Sequence, residues 1–137
     1  MACVIDANVF LEVLYKRGKW EESRALLEKV KAGAARAYVL HFTLHGISAL
    51  LGKPELVSRF LAELSTWRGI EVVETTVEDE ILACELAGAK GLDFDDGLVY
   101  YLAKRLRVSI VSYDRDFDGL DVERLEPGEA LRRLEER

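Results

Sequence analysis

Four aspartates stand where predicted strands end or a predicted helix begins. Asp6 follows the first apolar run, Asp96 lies at the start of a helical pattern, and two more carboxylates, Asp114 and Asp116, follow a later apolar run that ends at Ser112. In a parallel sheet such positions share one edge, so carboxylates far apart in the sequence can meet there. Like charges brought together require a positive partner, and oxygen ligands favour Mg²⁺ or Mn²⁺. The residues therefore predict a metal-dependent phosphoryl-transfer site.

Each of these aspartates also has a purely structural interpretation. Asp6 can cap the helix after the first strand, and Asp95 or Asp96 can cap a later one. Asp114 and the residues after it are of types that form turns. Capping and turn formation explain each residue singly, but they do not explain why all of them fall at one sheet edge. The shared position favours the functional interpretation.

The elements that would position these residues alternate along the chain. Short apolar runs predict strands at 2–5, 37–40, 70–73, 108–112 and 122–125. Apolar residues at helical spacing predict helices at 9–14, 20–31, 43–51, 55–67, 77–90, 97–107 and 128–136. This alternation predicts a parallel sheet covered by helices on both faces. No repeat, linker or boundary divides the pattern, so we expect a single domain over residues 1–137.

Composition narrows the class of protein. The 137 residues carry a net charge of −6, which provides no general electrostatic footprint for nucleic acid, so such a substrate would need a basic rim and a metal-neutralised centre. No apolar run approaches a membrane span and no leader precedes the first strand, which predicts a cytoplasmic protein.

Side-chain amides are scarce in this sequence. Glutamine is absent and Asn8 is the one asparagine, and such a bias is typical of hyperthermophile proteins. An amide that is kept in such a chain suggests that Asn8 is chemically required at its position. Cys3 and Cys84 lie in apolar patterns and are expected to be buried.

Three segments of the chain resemble the PIN domains, in particular the small archaeal and bacterial toxins of the VapC type. They are residues 4–9, 96–103 and 110–117, followed by Leu120 and Pro127. The third segment is the most specific of them. The resemblance covers nearly the whole chain.

The resemblance implies a three-layer α/β/α fold around a mostly parallel sheet, an acidic cluster holding Mg²⁺ or Mn²⁺, and endonucleolytic hydrolysis of single-stranded RNA. In this mechanism the metal lowers the pKa of a water that attacks phosphorus, and an aspartate accepts the proton. By position, the resemblance assigns catalysis and metal binding to Asp6, Asp96 and Asp114, metal binding also to Asp116, and hydrogen-bonding support to Asn8 and Ser112.

Asp95 competes with Asp96 for the role of ligand. Adjacent helical residues point about 100° apart, so only one of the two can face the cluster well. Asp96 shares a helix face with the small Ala103, and the family pattern also selects Asp96. Asp95 is then expected to be a helix cap or an outer supporting group.

One residue departs from the family pattern. PIN domains usually carry a glutamate early in the helix after the second strand, where this chain has Gly46, or His45 if the alignment slips by one residue. His45 would suit Mn²⁺ or Zn²⁺ better than Mg²⁺, although a surface imidazole is the favoured interpretation. His41 and His45 alone are a weak zinc signal. Glu12 could replace the missing acid, but an exposed helix charge is favoured.

These observations leave alternative functions open. The first is a metal-dependent ribonuclease toxin, inhibited by a small antitoxin that inserts a peptide at the acidic edge. The second is a PIN-like binding or interaction protein with impaired catalysis, for which Gly46 is the support. Aspartyl-phosphate chemistry with Asp6 as nucleophile ranks last, because it requires an aspartate where Asn8 stands. The apolar content of residues 42–67 suits a homodimer interface and a role in the core equally well.

Overall fold

The described part of the chain forms one sheet of five strands, flanked by seven helices. The structure is a computed structural model and describes residues 1–136. The strands are β1 Ala2–Ile5, β2 Arg36–Leu40, β3 Ile70–Val73, β4 Ser109–Val111 and β5 Arg124–Leu125. The helices are α1 Ala7–Leu14, α2 Trp20–Ala32, α3 His41–Leu51, α4 Pro54–Ser65, α5 Val77–Lys90, α6 Phe94–Leu106 and α7 Pro127–Glu135, and a 3₁₀ turn covers Arg115–Phe117.

The sheet has the strand order β3-β2-β1-β4-β5, and every neighbouring pair is parallel. The chain therefore crosses over from β3, at one edge, to β4 beside the central β1. Ile5 pairs with Val111, so the residues that follow them, Asp6 and Ser112, leave the sheet side by side. The register thus brings two segments about a hundred positions apart to one point of the sheet edge.

Two hydrophobic layers cover the sheet, one on each face. Successive side chains of β1 alternate between them, because strand residues point to opposite faces in turn. Cys3 and Ile5 join the layer formed with α1, α2, α3, α4 and α7, and Val4 joins the layer formed with α5 and α6. The predicted three-layer α/β/α architecture with a parallel sheet is confirmed, and all predicted strands and helices are present.

Two sequence-based expectations in α5 and α6 are wrong. α6 begins at Phe94, three residues before the predicted start, so Asp95 lies within its first turn. Cys84 is exposed, although Cys3 is fully buried as expected. The large apolar residues near Cys84 are also exposed, because α5 buries its small residues, Ala83 and Ala87, against α6.

Gly97 allows the close approach of these two helices. A Cβ added at this position would lie 2.7 Å from Ala87 Cβ and 3.0 Å from the Ala83 carbonyl oxygen. No residue with a side chain fits without moving α6, the helix that carries Asp96 in its first turn. Gly97 therefore fixes the position of Asp96 relative to the sheet edge.

Gly97→Ala should lower the free energy of unfolding by about 1–3 kcal/mol, because overpacking outweighs the gain in helix propensity. Gly88→Ala is the matched control, since Gly88 lies in α5 with no heavy atom within 4 Å of the added Cβ. This control should gain about 0.5–1 kcal/mol from helix propensity alone. Urea unfolding followed by circular dichroism measures both effects. Equal gains in the two variants would show that α5 and α6 are not in contact at Gly97.

None of the helices among residues 1–136 combines the length and the apolar character needed to cross a membrane.

Candidate active site at the carboxyl ends of the strands

Asp6 links β1 to α1. It is the N-cap of α1, with an extended backbone, and its Oδ1 accepts a hydrogen bond of 2.9 Å from the Ala7 N–H. Its own N–H donates to the Val111 carbonyl at 3.0 Å, which extends the β1–β4 pairing by one residue. Asp6 Oδ2 faces β4 and accepts from Ser112 Oγ at 2.7 Å. The capping interpretation of Asp6 is therefore correct, and the remaining carboxylate oxygen faces the end of β4.

Ser112 is the centre of a buried hydrogen-bond network. While it donates to Asp6, its Oγ accepts from Asn8 Nδ2 at 3.0 Å and from the Asp114 N–H at 3.0 Å. Asn8 Oδ1 accepts from the Tyr113 N–H at 3.2 Å, and Asn8 Nδ2 also lies 3.3 Å from Asp6 Oδ2. Asn8 and Ser112 thus join the end of β1 to the start of the loop that follows β4. Their supporting roles in a metal site stay a prediction.

Ser112→Ala should destabilise the protein by about 1–3 kcal/mol, because a half-buried carboxylate loses its hydroxyl donor. The bond from Ser112 also acts against the raised pKa of Asp6, so this pKa should rise further in the variant. Ser109→Ala is the control, since its hydroxyl donates to Glu123 at the surface. We expect that control to change stability by less than about 0.5 kcal/mol. Similar stabilities of the two variants in urea unfolding would contradict the central role of Ser112.

Asp114 and Asp116 lie in a short, internally bonded loop after β4. Asp114 caps the 3₁₀ turn, its Oδ1 accepting from the Asp116 N–H at 2.9 Å, and Phe117 anchors the turn in the core. Arg124 supports the loop from β5, donating to the Ser112 carbonyl at 3.0 Å and to Asp118 at 2.8 Å. This role of Arg124 could not be predicted from the sequence, because a single arginine in a predicted strand carries no distinguishing signal.

Asp96, Asp114 and Asp116, here called the aspartate cluster, offer carboxylate oxygens that all lie within 4.8 Å of one another. Asp96 and Asp114 are half-buried and Asp116 is exposed, so the cluster opens to solvent on one side. Asp6 is not in this group of three. Both of its carboxylate oxygens accept hydrogen bonds, from Ala7, Asn8 and Ser112. Of the four predicted metal ligands, the fold therefore brings three together within 4.8 Å and leaves Asp6 outside that group.

The site is dominated by the negative charge of its carboxylates. Burial, followed by the neighbouring carboxylates of Asp114 and Asp95, raises the pKa of Asp96 to about 7. Burial is also the main cause of the raised pKa of Asp6, with Asp114 contributing repulsion. Within residues 1–136, no lysine, arginine or histidine forms an ion pair with the aspartate cluster or with Asp6. A set of oxygen donors without a protein cation fits a hard divalent ion such as Mg²⁺ or Mn²⁺.

Asp95 does not cap α6. The N-cap is Asp93, whose side chain makes no capping hydrogen bond, and Asp95 is exposed in the first helical turn. Its charge nevertheless contributes to the raised pKa values of Asp96 and Asp6, so it lies close to the site. Asp95 therefore adds to the negative potential that a bound cation would relieve.

The residues considered for the missing family acid all lie outside the aspartate cluster. Gly46 and His45 are exposed on α3, and nothing lies within 4 Å of a Cβ built at Gly46. Glu12 is half-buried rather than exposed, and its carboxylate accepts from the Lys19 N–H at 2.7 Å. That bond closes the loop between α1 and α2, so Glu12 has a structural role there.

Comparisons with known proteins agree on the type of domain. A family model described as PIN domain matches residues 3–123. A toxin-antitoxin complex from Klebsiella pneumoniae contains a chain with 17% identity and a TM-score of 0.72, covering 91% of this chain and 97% of that one. VapBC2 from Rickettsia felis bound to a DNA fragment from their promoter gives 15% identity, a TM-score of 0.66 and coverages of 92% and 98%.

A third structure, PAE2754 from Pyrobaculum aerophilum, gives 21% identity and a TM-score of 0.62, covering 100% of both chains. At such identities the likeness to these solved structures concerns the fold. No curated protein sequence matches this chain significantly.

Proposed function

Since this chain belongs to the PIN domain family, we propose that it is a single-domain, metal-dependent endoribonuclease that cleaves single-stranded RNA. The observation that carries the proposal is the aspartate cluster, in which Asp96, Asp114 and Asp116 converge within 4.8 Å. Structural folds of this type also occur in a toxin-antitoxin complex and in VapBC2. These likenesses support the further proposal that the chain is the toxin of a toxin-antitoxin pair.

In this function the aspartate cluster would hold Mg²⁺ or Mn²⁺, with Asp6 as a fourth carboxylate at the same edge of the sheet. The ion, when bound, supplies activation of the attacking water and neutralises charge that develops on the phosphate. Ser112 and Asn8 orient Asp6 by hydrogen bonding to its Oδ2, and the bond from Ser112 opposes the rise in the pKa of Asp6 that burial causes. A carboxylate of the cluster accepts the proton that the attacking water loses. The open side of the cluster, where Asp116 is exposed, admits the RNA backbone.

A cleavage assay tests the proposed substrate class. The same end-labelled sequence is supplied as single-stranded RNA, double-stranded RNA and single-stranded DNA, with Mg²⁺, with Mn²⁺, or with a chelator. We expect cleavage of the single-stranded RNA alone, in the presence of either metal, and none by Asp114→Asn. Cleavage that persists in the chelator, or that the Asp114→Asn variant retains, would contradict the assignment.

A catalytically impaired PIN-like binding protein is the second candidate. Its specific support is Gly46, which stands where PIN domains usually carry a glutamate and offers no ligand to the aspartate cluster. This candidate predicts Mn²⁺ binding and RNA binding without cleavage. An electrophoretic mobility assay beside the cleavage assay separates it from the leading proposal.

The proposed protein partner is an antitoxin. Besides the acidic edge, the chain offers an apolar groove of about 530 Å³ between α1, α2 and α4, where Leu14, Tyr15 and Leu56 are exposed. We assign this groove to an amphipathic antitoxin segment, because it is apolar and because one of the similar folds belongs to a toxin-antitoxin complex. Coexpression with a candidate antitoxin should give a stable complex that Leu56→Arg disrupts. If this variant copurifies with the antitoxin as well as the unmodified protein does, the groove is not the antitoxin-binding site.

Homodimerisation through α3 and α4 is a separate proposal. The exposed Leu50 and Leu61 of these helices provide the apolar surface for it. Light scattering on the isolated chain should give twice the mass of 15.5 kDa. A mass equal to that of one chain would remove the dimer.

A further inference from the structure

A small pocket lies at the same sheet edge as the aspartate cluster but beside the ends of β2 and β3. Its volume is about 210 Å³. The residues that line it are His41, Phe42, His45, Glu74, Thr75 and Glu80. It contains both histidines of the chain and two carboxylates, none of which belongs to the aspartate cluster. The pocket therefore has a donor set of its own, with imidazole nitrogen beside carboxylate oxygen.

The two histidines face the pocket from one side of α3. His41 is the first residue of the helix and His45 lies one turn later, so the two share a helix face. Their ring centroids are 4.3 Å apart and the ring planes are tilted by 45°. Two histidines at this spacing form the zinc-binding face of the His-Glu-x-x-His motif. Two imidazole rings this close together can bind one shared cation.

The third donor comes from the segment after β3. Glu74 Oε1 lies 3.4 Å from His41 Nδ1. Two ligands of a tetrahedral zinc ion, with bonds of about 2.0–2.1 Å, are separated by roughly 3.3 Å. The nitrogen and the oxygen thus already stand at the separation that one ion requires of a ligand pair. The Glu74 side chain is 81% exposed, so it is not committed to the core.

The segment that carries Glu74 is well anchored. Thr75 Oγ1 donates to Glu80 Oε2 at 3.1 Å, which holds a second carboxylate at the pocket wall. Thr76 caps α5 by accepting from the Asp79 N–H at 3.1 Å, and its own N–H donates to Asp79 Oδ2 at 2.8 Å. These bonds hold the backbone next to Glu74 in place, which reduces the part of the entropic cost of binding that comes from ordering this segment.

We propose that His41, His45 and Glu74 bind a divalent transition metal of borderline character, with Zn²⁺ as the representative ion. Imidazole nitrogen selects such metals, whereas the carboxylates of the aspartate cluster select harder ones. Among residues 1–136 the ligand atoms of His41, His45 and Glu74 do not all lie within 4.8 Å of one another, so binding of one ion requires the exposed His45 side chain to rotate toward the other two. Three protein ligands leave a fourth position for water or an anion.

The bound ion would tie the first turn of α3 to the segment between β3 and α5. Phe42, which lies between the two histidines in sequence, packs edge-on against Phe94 with centroids 5.6 Å apart. Phe94 is the first residue of α6, the helix that carries Asp96. This pair of aromatic rings therefore connects the start of α3, where the two histidines lie, to the start of α6, which carries Asp96.

Calorimetric titration of Zn²⁺ into the full chain tests this site, with excess Mg²⁺ present to occupy the aspartate cluster. We expect one Zn²⁺ per chain. His41→Gln and His45→Gln should each weaken binding by at least about tenfold, the scale of losing one supporting contact at a metal centre. Glu78→Gln on α5 is the matched control for a surface acid and should bind like the unmodified protein. Co²⁺ in place of Zn²⁺ should develop visible absorption that disappears in His45→Gln.

Three results would overturn the proposal. The first is an absence of Zn²⁺ binding under these conditions. The second is unchanged binding in both histidine variants whose circular dichroism matches that of the unmodified protein. The third is loss of Zn²⁺ binding in Asp114→Asn with retention in His41→Gln, which would place the ion in the aspartate cluster. None of these outcomes depends on nuclease activity.

Discussion

Asp96→Asn should lower the rate of RNA cleavage by at least about 100-fold, the scale of removing one preorganised electrostatic group from an active site. The physical reason is that Asp96 contributes one of the three carboxylates that converge within 4.8 Å. Asparagine preserves the shape of the side chain but provides a neutral and weaker oxygen donor. Calorimetry should show weaker Mn²⁺ binding by the same variant, alongside the loss of cleavage.

The stability of Asp96→Asn separates this effect from unfolding. In the absence of metal and above pH 7, the variant should be at least as stable as the unmodified protein, because burial and neighbouring carboxylates disfavour the charge of Asp96. Asp93→Asn is the matched control, since Asp93 precedes the same helix without a capping bond or a place in the cluster. Full cleavage by Asp96→Asn, or equal losses in both variants, would contradict the role of Asp96.

The affinity for metal should depend strongly on pH. The pKa of Asp96 is raised from 3.8 to about 7 in the metal-free protein, so the cation must compete with a proton below neutrality. From pH 7 downward we expect Mn²⁺ affinity to fall about tenfold per pH unit, since binding releases one proton from this carboxyl. Above pH 7 the dependence should level off. Titrations in buffers of different ionisation enthalpy measure both the affinity and the number of protons released.

The metal-free protein should show the opposite trend in stability. A carboxyl whose pKa is raised on folding binds its proton more tightly in the folded state. The contribution of this carboxyl to the free energy of unfolding is therefore complete at pH values below its pKa in the unfolded chain. It is lost as the pH rises through its pKa in the folded protein. For Asp96 this interval runs from 3.8 to about 7. Saturating Mn²⁺ should restore stability above pH 7, because it binds the folded state alone. A pH-independent affinity for Mn²⁺ would remove Asp96 from the metal site.

The sheet could be predicted from the sequence because its strands are short apolar runs separated by helices with clear periodicity. β1 and β3 have the predicted bounds, 2–5 and 70–73, and the alternation predicts their parallel packing. The strand order could not be predicted, because neither β1 nor β4 carries a local signal for its partner. The location of the site could be predicted without the strand order, because in a parallel sheet all strands have their carboxyl ends at the same edge.

Structural details that depend on how closely two helices approach each other could not be predicted from the sequence. The apolar residues of α5 suggested that Cys84 is buried, but contact with Gly97 selects the face of the small alanines instead. Likewise, α6 begins earlier than predicted, because Asp93 has an extended backbone and is the N-cap of the helix. Asp95 therefore lies within the first turn of α6 and does not cap it. The engagement of Asp6 by Ser112 and Asn8 depends on the β1–β4 register, which spacing alone does not determine.

The proposed identity of the ligands is tested most directly by a crystal structure of the protein soaked in Mn²⁺, with anomalous diffraction to locate the ion. We expect an anomalous peak bound by carboxylate oxygens of Asp96, Asp114 and Asp116, with Asp6 bound directly or through a water. A soaked crystal without a peak at these residues, or with Mn²⁺ bound only elsewhere on the chain, would contradict this set of ligands.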